Sequence, residues 1–402
     1  MTDLSRREVA SLAIVLICCF AASLGMAFNI DGITDSFNLT NAAAGKIISL
    51  EMLSIAAGNL SFARLTERIN SKKIFIFGAS LIFCFNLLSV FATNSYALTL
   101  CRIPAGLALG AVAATCAGTI AKSNKPELNF GAINSAVGLM GVSMAFILPR
   151  ALKTEITLGP SFQLTGVDGL YLVYGFCALI ALIFVVATPG VTPSDKSTEI
   201  RKRGGSGIGW LALFAIGLMF FGHASIGLFI VRIGRELNIN SENIGYVLMI
   251  GSSLGILLPL ISGWLGTRVK AFFPILVMAT FLVLATLTLS ESTATWQYFL
   301  AVPIFATLPT AIMPIFLGCL SRLDSSGMQA ASHVAFVLTG SSAAPFIGGI
   351  LIDLGGFAFA GGFAAVAIGL GALLLMPMIL AADKKRDQIM IDPSHFSLSE
   401  KR

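Results

Sequence analysis

The sequence predicts an all-α membrane protein, with twelve transmembrane helices in two six-helix pseudo-repeat bundles. Three observations carry this. Only 11% of the 402 residues are charged and 56% are hydrophobic, where a soluble chain carries roughly 25% charged residues. The apolar residues fall in runs of about 20, the length of helix that crosses a bilayer. The basic residues concentrate in alternate loops, as a chain that crosses the membrane repeatedly requires.

The spans lie at 9–31, 43–63, 74–92, 97–120, 129–149, 169–188, 208–231, 243–265, 271–290, 295–318, 329–351 and 357–381. Arg6 and Arg7 before the first resemble a secretory leader. However, the run from Val9 to Ile30 is too long for a leader's apolar core and has no clear small-residue cleavage site. A polar loop, Arg150 to Asp168, separates the fifth and sixth spans. A longer loop, Thr188 to Gly207, contains Pro, Ser, Gly and four basic residues, and divides the chain in two. The domains are therefore an N-terminal bundle (1–188), a cytoplasmic linker (189–207), a C-terminal bundle (208–381) and a cytoplasmic tail (382–402).

Charge tests this layout. Of 26 Lys and Arg, 20 fall on the side of the two termini, five on the other, and Arg102 lies within a span. Basic loops stay inside, so both termini are expected in the cytoplasm of a cell with an inner membrane. Tyr96, Trp210, Trp264, Trp296 and Tyr298 sit near span ends, as interfacial aromatics do.

The net charge of +6 does not indicate nucleic acid, because it is scattered over short loops. The seven cysteines sit in or beside apolar runs without metal-ligand spacing, and are expected to be buried free thiols. No Walker loop, H-E-x-x-H or C-x-x-C occurs, so no enzyme and no cofactor is expected. "GLALGAVAATCAG" (106–118) follows no strand and is helix-packing glycine rather than a dinucleotide loop.

The halves echo one another. "ARLTERINSKK" (Ala63–Lys73) follows the second span, and "GWLGTRVK" (Gly263–Lys270) follows the eighth, two hundred positions later. Pro149 near the end of the fifth span is echoed by Pro345 in the eleventh. Six-plus-six repeats are a transporter plan, with the site near the midplane between the halves.

These motifs resemble those of the major facilitator superfamily, over essentially the whole chain. That family carries G-x-L-a-D-R-x-G-R-K between helices two and three. Leu65, Glu67, Arg68 and Lys72 match in kind, while Ala63, Asn70 and Ser71 replace two glycines and an arginine. The second copy keeps Gly263, Leu265 and Arg268, with Thr267 at the acidic position. Arg102 and Gly106 resemble the fourth-helix motif R-x-x-Q-G, with Ala105 in place of glutamine. Gly340, Pro345, Gly348 and Gly349 look like the glycine–proline motif that antiporters of the family carry in helix five. Here helix five itself keeps Gly138, Gly141 and Pro149. The resemblance implies alternating access and a monomer. It implies a cavity ringed by helices one, four, seven and ten, on which Ser23, Met26, Asn29, Pro303, Pro309 and Thr310 are candidates. It also implies a gate loop (Glu67, Arg68, Lys72, Arg268) whose acid meets the start of helix eleven, near Ser325 or Ser326. There it latches the inner side when the transporter faces outward.

Ionisable groups within spans are expensive, and each is a functional candidate. Glu51 lies about 12 Å from the outer end of its helix and Arg102 about 8 Å, at 1.5 Å per residue. They can pair, either as a static staple or as a switch. Burial and a nearby cation act oppositely on a carboxyl's proton affinity, so a pair that opens with conformation couples protons to transport. His223, mid-helix among Gly222, Ala224 and Ser225, is a second proton or substrate candidate, or an interhelical hydrogen bond. His333, near a helix start, reads as interfacial and structural. Asp31, Arg150 and Asp353 sit at outer helix ends, as caps or gate ion pairs. Gly138, Gly141, Pro149 and the glycine–proline set of helix eleven let helices approach closely, at the seam of a rocking protein or in ordinary packing.

The expected function is secondary transport of a small molecule, driven by the proton gradient, with efflux by antiport. Uptake of a small organic anion by symport, with Arg102 meeting its carboxylate, is the alternative. A non-transporting membrane sensor or channel is the third, disfavoured by the paired gate loops.

Overall fold

The computed structural model describes residues 4–65, 69–121, 123–124, 126–153, 156–159, 162–164, 166–190, 206–324 and 328–391. Glu67, Arg68, Ser325 and Ser326 lie outside them.

The first span is two helices, α1 (Arg6–Leu24) and α2 (Met26–Ser36), rather than one run, and the break falls at Gly25. A Cβ on Gly25 would lie 2.1 Å from Tyr174 Oη and 2.5 Å from a Leu148 methyl, so only glycine admits its neighbours there. Ser5 and Glu8 close a capping box at the start of α1. The spans that follow are α3 (Asn41–Leu65), α4 (Ser71–Val90), α5 (Ser95–Ala121) and α6 (Pro126–Ala151). Where the sequence suggested only a loop, β1 (Ile156–Gly159) and β2 (Phe162–Leu164) pair as an antiparallel hairpin before α7 (Val167–Val185). Extended segments satisfy their backbone groups by pairing with each other.

The second half repeats the pattern. Its first span also breaks, into α8 (Gly207–Gly227) and α9 (Ile230–Glu236). α2 and α9 are followed by left-handed asparagines two hundred positions apart, Asn38 (φ 49°) and Asn238 (φ 56°). The backbone bonds around them match: Leu39 N to Thr34 O and Ile239 N to Gly234 O, both 3.0 Å. Asparagine tolerates this conformation at a helix C-terminus. Then come α10 (Ser241–Arg268), α11 (Phe272–Ser290), α12 (Thr295–Leu323) and α13 (Met328–Ile391). α13 holds the last two spans and turns back at Gly356, with φ 74° and ψ −176°, a conformation open essentially to glycine. Its start is capped by Asp324, whose Oδ2 accepts from Gln329 N at 2.8 Å.

Among the described residues ten helical stretches are long and apolar enough to cross a membrane, the last containing both final spans. α3 is not among them: Lys46 and Glu51 make it more polar, and Glu51 is buried inside the bundle. With α3 the crossings among the described residues number twelve, so the start of α1 and the end of α13 lie at the same side of the bundle, the terminal face. The opposite side is the far face.

In the N-terminal half α3 packs on α5, α4 on α5 and α7, and α1 on α6 and α7. The C-terminal half mirrors this: α10 on α12, α11 on α12 and α13, and α8 on α13. Three helix pairs join the halves: α3 with α13 and α6 with α10 extensively, and the short α2 with α9 over a smaller area. Backbones nearly touch at the first seam, where a Cβ on Gly45 would lie 2.2 Å from Pro345 O, and one on Gly349 2.4 Å from Asn41 O. Such contact by small residues substitutes for the hydrophobic drive that lipid does not supply. Five cysteines are buried as expected, but Cys84 is exposed on the bundle surface and Cys101 is half-buried, because α4 and the start of α5 each turn one face outward.

Candidate functional site

Where the halves meet, a cavity of about 280 Å³ is walled by both. The first half contributes Leu24, Ala27, Phe28 and Met52, and the second His223, Leu248, Phe305 and Ser341, among others. Among the described residues no Asp, Glu, Lys or Arg is in the lining. A larger groove of about 410 Å³ runs from Tyr246 to Leu257, but α10 alone lines it. It is a furrow on the bundle rather than a space the halves enclose.

Two expectations about the lining are corrected. Ser23, Met26 and Asn29 do not face the cavity; Leu24, Ala27 and Phe28 do. The helix is interrupted at Gly25, so no single helical face runs from Ser23 to Asn29. Asn29 is instead buried, giving Nδ2 to Ala22 O (3.3 Å) and accepting Tyr174 Oη at 2.8 Å. On α12, Phe305 and Ala306 line the cavity in place of Pro303, Pro309 and Thr310. Pro309 is buried inside the second half, where it lines a small void together with Ile216 and Leu282.

His223 does reach the cavity. Its ring stacks on Phe305, centroids 4.2 Å apart at 18°, and Nε2 lies 3.2 Å from Phe305 O. Among the described residues His333 makes a local contact, Nδ1 to Ala330 O at 2.6 Å.

Glu51 and Arg102 are paired inside the first half. Arg102 Nη2 donates to Glu51 Oε1 at 2.5 Å and Nε to Oε2 at 3.1 Å. Its Nη1 donates to Asn86 Oδ1 at 2.8 Å, and its Cζ lies 5.1 Å from the Tyr171 ring centroid. Glu51 is 2% exposed and Arg102 1%. Asn86 and Tyr171 are residues that sequence reasoning passes over, since a single polar or aromatic side chain on an apolar helix carries no pattern. Neither Glu51 nor Arg102 lines the cavity, although Met52 beside Glu51 does.

Three sets of polar contacts join the halves at the far face. Between α2 and α9, Arg235 Nη1 lies 3.0 Å from Asp31 Oδ2 and also bonds Asp35; Arg232 Nη1 lies 3.2 Å from Asp35. Between α3 and α13, Asp353 accepts from Asn41 N (3.1 Å) and Ala42 N (2.9 Å), a carboxylate at a helix N-terminus. Between α6 and α10, Lys153 Nζ lies 3.0 Å and Arg150 Nη2 3.6 Å from Glu242, and Arg150 donates to Tyr246 Oη at 3.1 Å. Asp35 and Arg235 occupy the same place in the two repeats, two hundred positions apart. That offset is the signal that would have identified the pair in the sequence.

On the terminal face Lys72 Nζ donates to Val186 O at 2.6 Å, closing the end of α7. Arg268 lies 5.4 Å from the Trp264 ring. Asp383 accepts from Ala271 N and Phe272 N at 2.8 and 3.0 Å, capping α11, and Lys270 bonds Asp387 at 2.8 Å. Each of these contacts stays within one half. Glu67, the expected latch residue, and its neighbour Arg68 fall outside the described residues.

The packing glycines divide between two jobs. Gly138 faces Ile256, Gly141 faces Ser252 and Pro149 faces Gly245, all across the seam on α10. Gly349 and Pro345 meet α3 across the other seam. Gly340 and Gly348 instead meet Gly217 and Ser225 of α8, within their own half.

A family model described as the Major Facilitator Superfamily matches residues 10–336. A gallate transporter of Pseudomonas putida is 27% identical over 151 residues, 34% of this chain. The matched part spans 34% of that relative's length. Two crystal structures of a bacterial homologue of the human lysosomal transporter Spinster share the fold. The inward-facing, unoccupied form gives a TM-score of 0.69 and the inward-facing, occupied form 0.73, each at 15% identity over 95% of both chains.

Proposed function

This chain belongs to the major facilitator superfamily and is a secondary transporter, and we propose that it carries a small, largely apolar organic solute outward across the inner membrane in exchange for protons. The observation that supports this best is the charge-free cavity walled by both halves, with three sets of polar contacts drawing the halves together at the far face. The basic loops support a cytoplasmic terminal face. A cavity sealed on the far side then loads from within, and a lining without cations suits a solute that needs no counter-charge. Rocking of the halves about the cavity exposes it alternately, and the protein works as a monomer.

Two groups are proposed for proton coupling. Glu51 takes a proton when its pairing with Arg102 opens, and His223 takes one at the cavity wall. The gate loop closes the terminal face in the other state, with Glu67 meeting the start of α13. The test is flux in proteoliposomes under an imposed pH gradient. Glu51→Gln should uncouple solute movement from the gradient; intact proton-driven flux in that variant would remove Glu51 from the mechanism. Glu67→Ala should destabilise the outward-facing state while Ser71→Ala changes little, and equal effects would count against the latch.

A second reading, proton-linked uptake of a small organic anion, draws on the likeness to a gallate transporter. It asks Arg102 to leave Glu51 for the substrate's carboxylate, or His223 to be protonated. Deleting the gene separates the two: efflux predicts altered tolerance of toxic solutes, and uptake predicts lost growth on one carbon source. Absence of any saturable flux would instead favour a sensor.

A further inference from the structure

We propose that the cavity selects solutes carrying a hydrogen-bond donor on a flat, otherwise apolar body, and that Nδ1 of His223 is the atom that reads the donor. The proposal rests on the cavity being the transport site.

The argument begins with a proline. In a helix, each carbonyl normally accepts from the N–H four residues on. Phe305 O would accept from residue 309, but Pro309 has no N–H. His223 Nε2, on α8, lies 3.2 Å from that carbonyl. A carbonyl oxygen only accepts, so Nε2 bears the proton. In a neutral imidazole the other nitrogen then holds a lone pair. A gap in the hydrogen bonding of α12 thereby fixes the tautomer of a ring on α8.

The ring is also fixed in place. It stacks on Phe305 at 4.2 Å and 18°, and meets Phe220 edge-on with centroids 6.4 Å apart. His223 lines the cavity, and among the described residues Nδ1 has no hydrogen-bond partner. Beside the rotatable hydroxyls of Ser252 and Ser341, the cavity thus presents a nitrogen acceptor of fixed orientation on an aromatic ledge, facing walls such as Phe28 and Met52. A hydroxyl or N–H donor satisfies that acceptor. A carboxylate meets a lone pair and no cation. A volume of about 280 Å³ is at the small end for ligand pockets and suits one ring with few substituents.

The test uses 4-methylphenol, its O-methyl ether 4-methylanisole, and 4-methylbenzoate. Equilibrium binding to purified protein in nanodiscs is measured at pH 7.5 with no gradient. The phenol is expected to bind about three- to tenfold tighter than the ether, the worth of one net hydrogen bond, and the benzoate weakest. His223→Phe keeps the stack and should abolish the preference for phenol over ether. Equal binding of phenol and ether by the unsubstituted protein, a preference that survives His223→Phe, or no binding of any probe would each overturn the proposal.

The tautomer is checked independently on the unsubstituted protein, by 15N NMR of labelled histidine, so a poorly folding variant leaves the question open to test. The proton is expected on Nε2, and finding it on Nδ1 overturns the assignment. Pro309→Ala returns an N–H to Phe305 O and should yield a tautomer mixture; an unchanged spectrum counts against the proline's part. Gradient-driven flux is read separately. Donor preference without flux upholds the site and overturns the transport reading; flux without donor preference does the reverse.

Discussion

Arg235→Gln tests whether the far-face ion cluster sets the conformational balance. Asp31 is 2% exposed and its nearest cation is Arg235, at 3.0 Å; Arg232 stands further off at 3.7 Å. Removing one partner of a fully buried pair costs about 3–5 kcal/mol, because the other charge stays desolvated. Two features reduce this. Arg235 is itself 44% exposed, and Arg232 remains as a weaker partner. About 1–2 kcal/mol is left, and it falls on the closed far face alone, since opening α2 from α9 lets water reach Asp31. At 1.4 kcal/mol per tenfold, the open population should rise roughly 5- to 30-fold. Spin labels at Ser36 and Glu236, both exposed and on opposite halves, read the separation directly. Asp35→Asn is the control: Asp35 is 45% exposed, and an exposed pair is worth at most about 1 kcal/mol. If Arg235→Gln leaves the distance distribution as it was, or Asp35→Asn shifts it as far, burial of Asp31 is not what holds the gate.

Arg102→Met strands the Glu51 carboxylate among α3, α4 and α5, and should cost about 3–5 kcal/mol, read as a large drop in melting temperature. The double variant Glu51→Met with Arg102→Met should recover most of it, and no recovery would mean the pair is not a unit. Gly349→Ala places a methyl 2.4 Å from Asn41 O, while Gly318→Ala meets nothing within 4 Å. The first should open the far face in the same spin-label assay, and the second should leave the spectra unchanged. The Asp387 carboxylate holds the Lys270 ammonium above its ordinary pKa. A raised lysine gives its stabilisation below the unfolded pKa and loses it as pH rises through the folded one. Melting temperatures of Lys270→Gln and the unsubstituted protein should therefore keep a constant offset from pH 6 to 9 and converge only above about pH 10. Convergence near neutral pH would contradict that assignment.

Much of the fold is written one-dimensionally. Bilayer thickness sets span length, and the cost of moving cations across lipid sets the order of the loops, so both can be read from Arg6 to Arg386 without any contact map. The repeat is legible too, since Asn38 and Asn238, or Arg68 and Arg268, stand in register. The breaks at Gly25 and near Leu228 are less so. Glycine is frequent in this chain, and which glycine breaks a helix depends on what presses against it, here Tyr174 and Leu148. The lining of this broken span accordingly falls one residue away from each expected position, on Leu24, Ala27 and Phe28.

By itself the sequence determined the class, the number of crossings and the short set of residues that lipid would not tolerate without cause: Glu51, Arg102 and His223. Only the tertiary structure decided what each of those does with its charge or proton. Glu51 and Arg102 sit in different helices of one half and neutralise each other away from the cavity. Asp31 and Arg235 sit in different halves and close the far face. His223 turns to a carbonyl that a proline on another helix left free. The physical reason is that a charge in hydrocarbon must find its partner across helices. Which helices touch is set by packing summed over whole helix faces, which no local stretch of sequence encodes.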